Sequence, residues 1–343
     1  GCGAIAERRH APACHGTPGV RIAAFCDVAA DRALRLAERY QAKAYADLDQ
    51  MLAEEALDAV CVCSPERFHC DMVLKCLAAG THVLCEKPMA LNMEDAKRMH
   101  RAGLAAGKLL MVAFSQRAYT GHRLLKKLLK EGHIGTPIFF RSVLSHSGAE
   151  YTSLGKAEDF YDRNLKNIGG VMSSVGCHRV DLISWLFESP VTAVQAFTTT
   201  IDKKYSDGSP IDEEDTAEIH VRMENGLAGE LFVSWCNYGP AGTATEIYGS
   251  DGMMILDDDG YVRVWKDGVC TVYPAQMDDA GKKGYGIVEN FLKACQGSEK
   301  PLADSLDGLR CMQALEAVRR SGETGAWVFV SEEKGEKAWA DIS

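Results

Sequence analysis

Residues 59–88 read AVCVCSPERFHCDMVLKCLAAGTHVLCEKP, and the architecture of the chain can be worked out from them in both directions. Ala59–Cys63 is an unbroken run of small and β-branched apolar residues, the pattern of a strand buried on both faces. Ser64-Pro65 interrupts it. Cys70, Val73, Leu74 and Leu77 then recur at helical spacing until Gly80, a helix stop, and His82–Cys85 is a second short apolar strand. Strand, helix and strand without polar alternation describe a βαβ unit and a parallel sheet.

Outward from this core the same rhythm continues. Upstream, Val20–Cys26 reads as a strand and Asp31–Tyr40 as a helix, with Ala33, Leu34, Ala37 and Tyr40 on one face and Asp31 as its cap. Downstream, Asn92 is placed to cap a helix carrying Ala96, Met99 and Ala102, followed by the strand Leu109–Phe114. The expected fold class is α/β: an N-terminal doubly wound Rossmann sheet over residues 1–118. Beyond Arg117 the pattern changes to a helix around Leu124–Leu129 and alternating strands at Ile138–Leu144, Val191–Thr200, Thr216–Met223, Leu227–Trp235 and Thr245–Tyr248. Alternation of this kind predicts a large, mostly antiparallel sheet with one open or partner-covered face, an α+β domain over 119–343 for substrate binding and oligomerisation. Gly286–Ala294 and Leu306–Arg320 regain helical spacing, the second through Leu306, Leu309, Met312 or Gln313, and Glu316, and these C-terminal helices could pack back on the first domain.

Composition narrows the function. With 343 residues, 46% hydrophobic and 25% charged, the chain has the make-up of a two-domain globular protein. Its net charge of −10 disfavours a nucleic-acid partner, and no apolar run is long enough to span a bilayer. The cysteines number 13, scattered as at Cys26, Cys61, Cys63 and Cys85 and without a CxxC pair, which points to free thiols and a reducing cytoplasm. Asp212-Glu213-Glu214-Asp215 and Asp257-Asp258-Asp259 read as carboxylates facing water in turns, and no metal is expected.

Four segments carry candidate chemistry. Gly1-Cys2-Gly3-Ala4-Ile5-Ala6 has the form GxGxxA, in which glycines let backbone amides approach a pyrophosphate at a helix N-terminus; the strand that should precede it is expected to be missing ahead of Gly1. Asp27 ends the next strand, where a carboxylate accepts from ribose hydroxyls and repels a 2′-phosphate, so NAD is favoured over NADP; alternatively it is a turn residue. Lys87 in Glu86-Lys87-Pro88 sits at the carboxyl edge of a parallel strand, where open α/β sheets bind ligands, although a strand-end lysine by itself more often just faces solvent. In Gly169–Asp181, a loop opening a helix that runs to Leu186, Ser174 and His178 share a face with Asp181 one turn on; the histidine could take the proton that leaves an alcohol, or simply bridge the domains with Asp181 solvated.

At these residues the chain resembles the Gfo/Idh/MocA family, named after glucose-fructose oxidoreductase and inositol dehydrogenase. The matching pieces are GxGxxA at Gly1–Ala6, Cys26-Asp27, SPxxxH at Ser64–His69, GTHVLCEKP at Gly80–Pro88, GG…GxHxxD at Gly169–Asp181 and Tyr248–Gly252. The resemblance implies catalytic roles for Lys87, His178 and Asp181. It implies a coenzyme site from Gly1, Gly3, Ala4, Ile5, Asp27, Ser64, Pro65, His69, Glu86, Lys87 and Arg117. Many members carry an aspartate four residues before the histidine, where this chain has Ser174; without it Lys87 should bear more of the proton transfer.

The expected activity is reversible, NAD-dependent oxidation of a secondary alcohol on a sugar, inositol or related polyol, with Lys87, Tyr161, Arg163, Ser174 and His178 on the substrate. Tyr161 and Arg163 belong to the polar segment His146–Asn167, which also holds Tyr151, Asp159, Asn164, Lys166 and Asn167 and could equally be a solvated loop. This reading depends on Lys87 and His178 meeting at one crevice. The rivals are a non-catalytic NAD-binding regulator on the same fold, and a dihydrodiol dehydrogenase, biliverdin reductase or NAD-using glycosidase. The expected partners are a small polyol and further copies of the chain in a homodimer or homotetramer, with no nucleic acid and no membrane.

Overall fold

The computed structural model describes residues 1–148, 150, 169–257, 259–275 and 286–330. They fall into two units, one containing Gly1–Ala118 with the described part of Asp279–Leu309, the other the described parts of Tyr119–Asp278 and Arg310–Glu333.

In the first unit a π-helical turn, Ala6–His10, runs directly into α1 (Ala11–Gly16). There follow β1 (Ala24–Cys26), α2 (Ala30–Tyr40), β2 (Lys43–Tyr45), α3 (Leu48–Glu54), β3 (Ala59–Val62), α4 (His69–Ala78), β4 (His82–Cys85), α5 (Met93–Ala106) and β5 (Leu110–Val112). β1 and β2 pair in parallel, and β3-β4-β5 form a second parallel group. No hydrogen-bonded ladder joins the two groups among the described residues, and β1 together with most of β3 is only half-buried, whereas β5 is wholly buried. Asn92 caps α5 as expected, its Oδ1 accepting the Asp95 amide at 2.9 Å. Gly80 and Gly107 end their helices at φ +80 and +59, a conformation that costs glycine nothing.

In the second unit α6 (Thr120–Lys130) precedes β6 (Pro137–Ser145), and α7 (Cys177–Phe187) is entered through a second π-helical turn, Met172–Gly176. The remaining strands are β7 (Val191–Thr199), β8 (Thr216–Met223), β9 (Ala228–Ser234), β10 (Thr245–Gly249), β11 (Gly252–Leu256), β12 (Tyr261–Lys266), β13 (Val269–Pro274) and β14 (Val328–Phe329). They make one nine-stranded sheet in the order β13-β12-β11-β10-β6-β9-β8-β7-β14. Only the β6–β9 pair is parallel. A core of Leu125, Leu128, Leu182, Leu186, Ile247, Met254 and Val262 packs α6 and α7 onto this sheet, each fully buried aliphatic contributing about 1.5–3 kcal/mol over exposure. α8 (Gly286–Cys295) groups with the first unit through Ile287, Val288 and Phe291 against Leu84 and Met111, while α9 (Ser305–Thr324) is divided between the two groups.

The parallel first sheet and the mostly antiparallel second one are as expected, with several local differences. Ala29 rather than Asp31 occupies the cap of α2, which has no side-chain cap; its buried stripe is Ala33, Leu36 and Ala37, and Leu34 is 53% exposed. β2, α3, β11, β12 and β13 were not anticipated. β2 is three residues of little hydrophobic contrast, but β12–β13 carried a signal: Asp267-Gly268, at φ 51 and 76, is the two-residue turn that matches strand twist. All 13 cysteines are free thiols. Among the described residues no helix is long and apolar enough to cross a membrane.

Candidate active site

The glycine loop is held from beneath by the end of β1. The Gly1 nitrogen donates to the Cys26 carbonyl at 2.9 Å, and the Cys2 amide donates to Asp27 Oδ2 at 2.7 Å. Asp27 Oδ1 accepts the Ala29 amide at 2.9 Å. The half-exposed Asp27 carboxylate is thereby fixed beside the loop with further acceptor capacity on both oxygens. Ala4 and Ile5 open the helix that continues through the π turn.

Two further loops are stapled together by His69. This ring is 1% exposed, with Nδ1 3.0 Å from the Pro88 carbonyl and Nε2 2.9 Å from the Ser64 carbonyl. Both nitrogens are taken by backbone, so His69 holds the Ser64-Pro65 turn against the Glu86-Lys87-Pro88 loop instead of presenting itself to a ligand. Arg117 departs from expectation in the same way. It is 4% exposed, its guanidinium lying 3.1 Å from each Asp307 oxygen and 2.6 Å from the Leu302 carbonyl. These two residues frame the loops.

Glu86 is the most strongly perturbed carboxylate of the site. Its Oε1 lies 2.8 Å from His10 Nε2, and its Oε2 accepts the Lys87 amide at 3.2 Å. Burial alone would raise its pKa, but the bond to His10, the His10 charge and the Lys87 charge outweigh that and hold it at about 2. Burial also opposes protonation of His10, yet the Cys63 thiol and the Glu86 carboxylate lift its pKa well above the ordinary value. Lys87 itself is half-buried, and the Lys87-Pro88 bond is cis.

In the second unit the entry to α7 is organised by Glu214. Its carbonyl accepts the Val171 amide at 2.8 Å and its Oε1 accepts the Met172 amide at 3.0 Å, satisfying donors at the start of the helix. Gly170 is required there, because a Cβ would fall on the Glu214 carboxyl and carbonyl. Burial, then the neighbouring Glu213 and Asp215 charges, raise the Glu214 pKa against the pull of its backbone bonds. Ser174 and His178 are half-buried on this segment, and Asp181 is 2% exposed, which excludes a solvated Asp181.

The acidic turn is therefore not simply wet. Asp215 is fully buried and accepts the Ile201, Asp202 and Lys203 amides at 2.8–3.0 Å, because the chain reversing there leaves three donors that no strand can satisfy. Asp257 and Asp259 pair with Arg263. Tyr161 and Arg163, with Tyr151, Asp159, Asn164, Lys166 and Asn167, lie outside the described residues. Lys87 belongs to the first unit and His178 to the second. Sequence reasoning missed His10 and Asp307 and read Glu214 as a water-facing turn residue; nothing in the Ala6–Ala11 stretch sets His10 apart from Glu7, Arg8 and Arg9 beside it.

The first unit fits a dinucleotide. A Cβ at Gly1 would lie 2.6 Å from the Cys63 carbonyl oxygen, whereas at Gly3 it would meet nothing within 4 Å, so the loop is tight behind and open in front. Ser64 Oγ is buried with no hydrogen-bond partner among the described residues, a donor awaiting an acceptor.

Comparison with known proteins agrees. Residues 1–114 match the family model described as oxidoreductase family, NAD-binding Rossmann fold, and residues 122–255 match the GFO/IDH/MocA C-terminal domain. The chain belongs to the Gfo/Idh/MocA family. Its similarity extends to myo-inositol 2-dehydrogenase of Thermotoga maritima, 26% identical over 88% of each chain. D-glucoside 3-dehydrogenase of Escherichia coli is 25% identical over 96% of this chain and 95% of its own. The WlbA dehydrogenase of Bordetella pertussis, crystallised with NADH and UDP-GlcNAcA, superposes with a TM-score of 0.79 at 25% identity, over 97% of this chain and 98% of that one. As in the rest of this oxidoreductase family, the coenzyme domain is an NAD-binding Rossmann fold.

Proposed function

We propose that this Gfo/Idh/MocA protein is an NAD-dependent dehydrogenase that oxidises a secondary alcohol on a sugar, inositol or related polyol, reversibly. The observation that carries the reading is the loop at the carboxyl end of β4, where Lys87 is mounted with its amide on the carboxylate of a half-buried, ionised Glu86. The names of the relatives, an inositol and a glucoside dehydrogenase, supply the substrate class.

Gly1, Gly3, Ala4 and Ile5 would hold the pyrophosphate, Asp27 the ribose hydroxyls, and Ser64 and Pro65 the flank of the dinucleotide. NAD supplies the hydride acceptor when bound. Lys87 binds the substrate hydroxyl and takes its proton, with His178 as the second acid/base group and Asp181 supporting it. Tyr161, Arg163 and Ser174 complete the set of hydroxyl partners.

Ser174 in place of the family aspartate favours one other reading, a regulator that binds NAD and turns nothing over. A spectrophotometric panel of sugars, inositols and diols with NAD and NADP separates them. Stoichiometric NADH formation is expected; binding of NADH without turnover of any polyol would favour the regulator, and hydrolysis without net NADH a glycosidase.

The open face of the second-unit sheet supports self-association. Phe197, Glu218 and Phe232 are cross-strand neighbours there, with Phe197 66% and Phe232 39% exposed. A second copy would cover this row, giving a homodimer or homotetramer in a reducing cytoplasm.

A further inference from the structure

We propose that His10 is a positioning residue: its ring, bonded to Glu86 at 2.8 Å, fixes the carboxylate whose other oxygen holds the Lys87 amide, and so sets the loop from which Lys87 acts. The inference rests on the catalytic reading of Lys87 given above.

The geometry forms an unbroken path between elements of one unit. His10 is the last residue of the π-helical turn, 4% exposed, and faces inward from the helix that the glycine loop launches. π turns insert one extra residue per turn and recur at functional sites. The Glu86 side chain is 14% exposed and uses one oxygen on each neighbour. The helix that receives the dinucleotide is thus tied through two side-chain bonds to the loop that carries the lysine. The other ionisable groups around Glu86 are Lys87 on its own loop, the Cys85 thiol of β4, and the Cys63 thiol just past β3, which also acts on His10.

A carboxylate largely withdrawn from water, as this one is, is held ionised by its partners. With His10 replaced, Glu86 would take up a proton closer to neutrality, and a protonated carboxyl is a poorer acceptor for the Lys87 amide. The loop would then lose its fixed geometry as pH falls. A buried ion pair serving only stability would produce no such pH-dependent loss of turnover.

Three variants test this: His10→Ala, His10→Gln, which keeps an N–H donor, and Glu86→Gln. In the coenzyme-free wild type, ¹⁵N NMR should find the His10 ring doubly protonated at pH 7.5, and in Glu86→Gln its pKa should fall, since burial then opposes the charge without the carboxylate. The Lys87 amide proton should shift upfield in both Ala and Gln replacements of the pair. NADH binding, read by fluorescence, should change less than about threefold in His10→Ala, while turnover of the polyol falls about ten- to a hundredfold, as misplacements of about 1 Å do. Turnover should also gain an acid limb that wild type lacks, and His10→Gln should recover most of the loss at pH 8. A neutral His10 ring in wild type, an unmoved Lys87 amide, or turnover and pH profile within threefold of wild type in the folded variants would overturn the proposal. If no polyol is turned over, the dehydrogenase reading fails, and the ring titration and the Lys87 amide shift still decide the role of His10. If His10→Ala does not fold, the wild-type titration and the two glutamine variants decide it.

Discussion

Each unit of this chain enters a helix through a π-helical turn, Ala6–His10 in the first and Met172–Gly176 in the second, with a histidine at the end of one and just after the other. In the first, a carboxylate 2.8 Å away is committed to the ring. In the second, the position one turn before His178 is Ser174, and the carboxylate nearest the entry, Glu214, is spent on the Met172 amide. A histidine bonded to a carboxylate, as His10 is, is fixed in orientation by it. Under the proposed function the weight of proton handling falls on Lys87, whose amide rests on the carboxylate that His10 holds.

The sharpest break of this comparison is kinetic. Lys87→Ala should lower turnover about 10²- to 10⁴-fold, the contribution of a positioned acid or base, with NADH binding nearly unchanged; His178→Ala should cost less. The reverse ranking in steady-state assays would move the chemistry to the second unit.

Next in size is a test of the acidic turn. Asp215→Ala removes the acceptor of three amides, of which that of Lys203 is buried, and should lower unfolding stability by about 2 kcal/mol, read from the denaturant midpoint. A loss under about 1 kcal/mol would mean that water reaches those amides.

The smallest effect is the pH dependence of the His10–Glu86 pair. Glu86 is depressed, so its contribution is present above the unfolded carboxylate value of about 4.3 and is lost as pH falls toward about 2. His10 is raised, so its contribution is complete below about 6.5 and fades as pH climbs through its higher folded value. Glu86→Gln should therefore narrow its stability gap to wild type on the alkaline side in thermal melts from pH 6 to 10. A gap constant over that range would show that the two groups do not titrate as a pair.

Much of the first unit was legible because its strands and helices announce themselves by local pattern: His82–Cys85 and the Asn92 cap fall where the sequence puts them. Gly1 and Asp27 could be singled out as candidates because a motif depends on residue type at a chain position, and the fold brings them together at the end of β1. What was hidden is pairing across distance. Nothing local to His10 names Glu86, 76 positions on, and nothing local to Arg117 names Asp307, 190 positions on. Asp215 misled for a related reason: four consecutive acids look like a solvated turn until the chain reversal at Ile201–Lys203 supplies its donors. β11 to β13 were missed because short hairpins beside an acidic turn show little alternation, although Asp267-Gly268 marked one of them.

The crowding of Gly170 against Glu214 has a consequence for anyone altering this protein. The start of this helix tolerates no side chain at 170: a methyl there would meet the carboxyl and the carbonyl of Glu214 together. Shortening 214 does not by itself make room for a larger 170, because the 214 carbonyl oxygen remains 2.5 Å from where a Cβ would sit, so glycine at 170 is fixed by backbone and not by side chain.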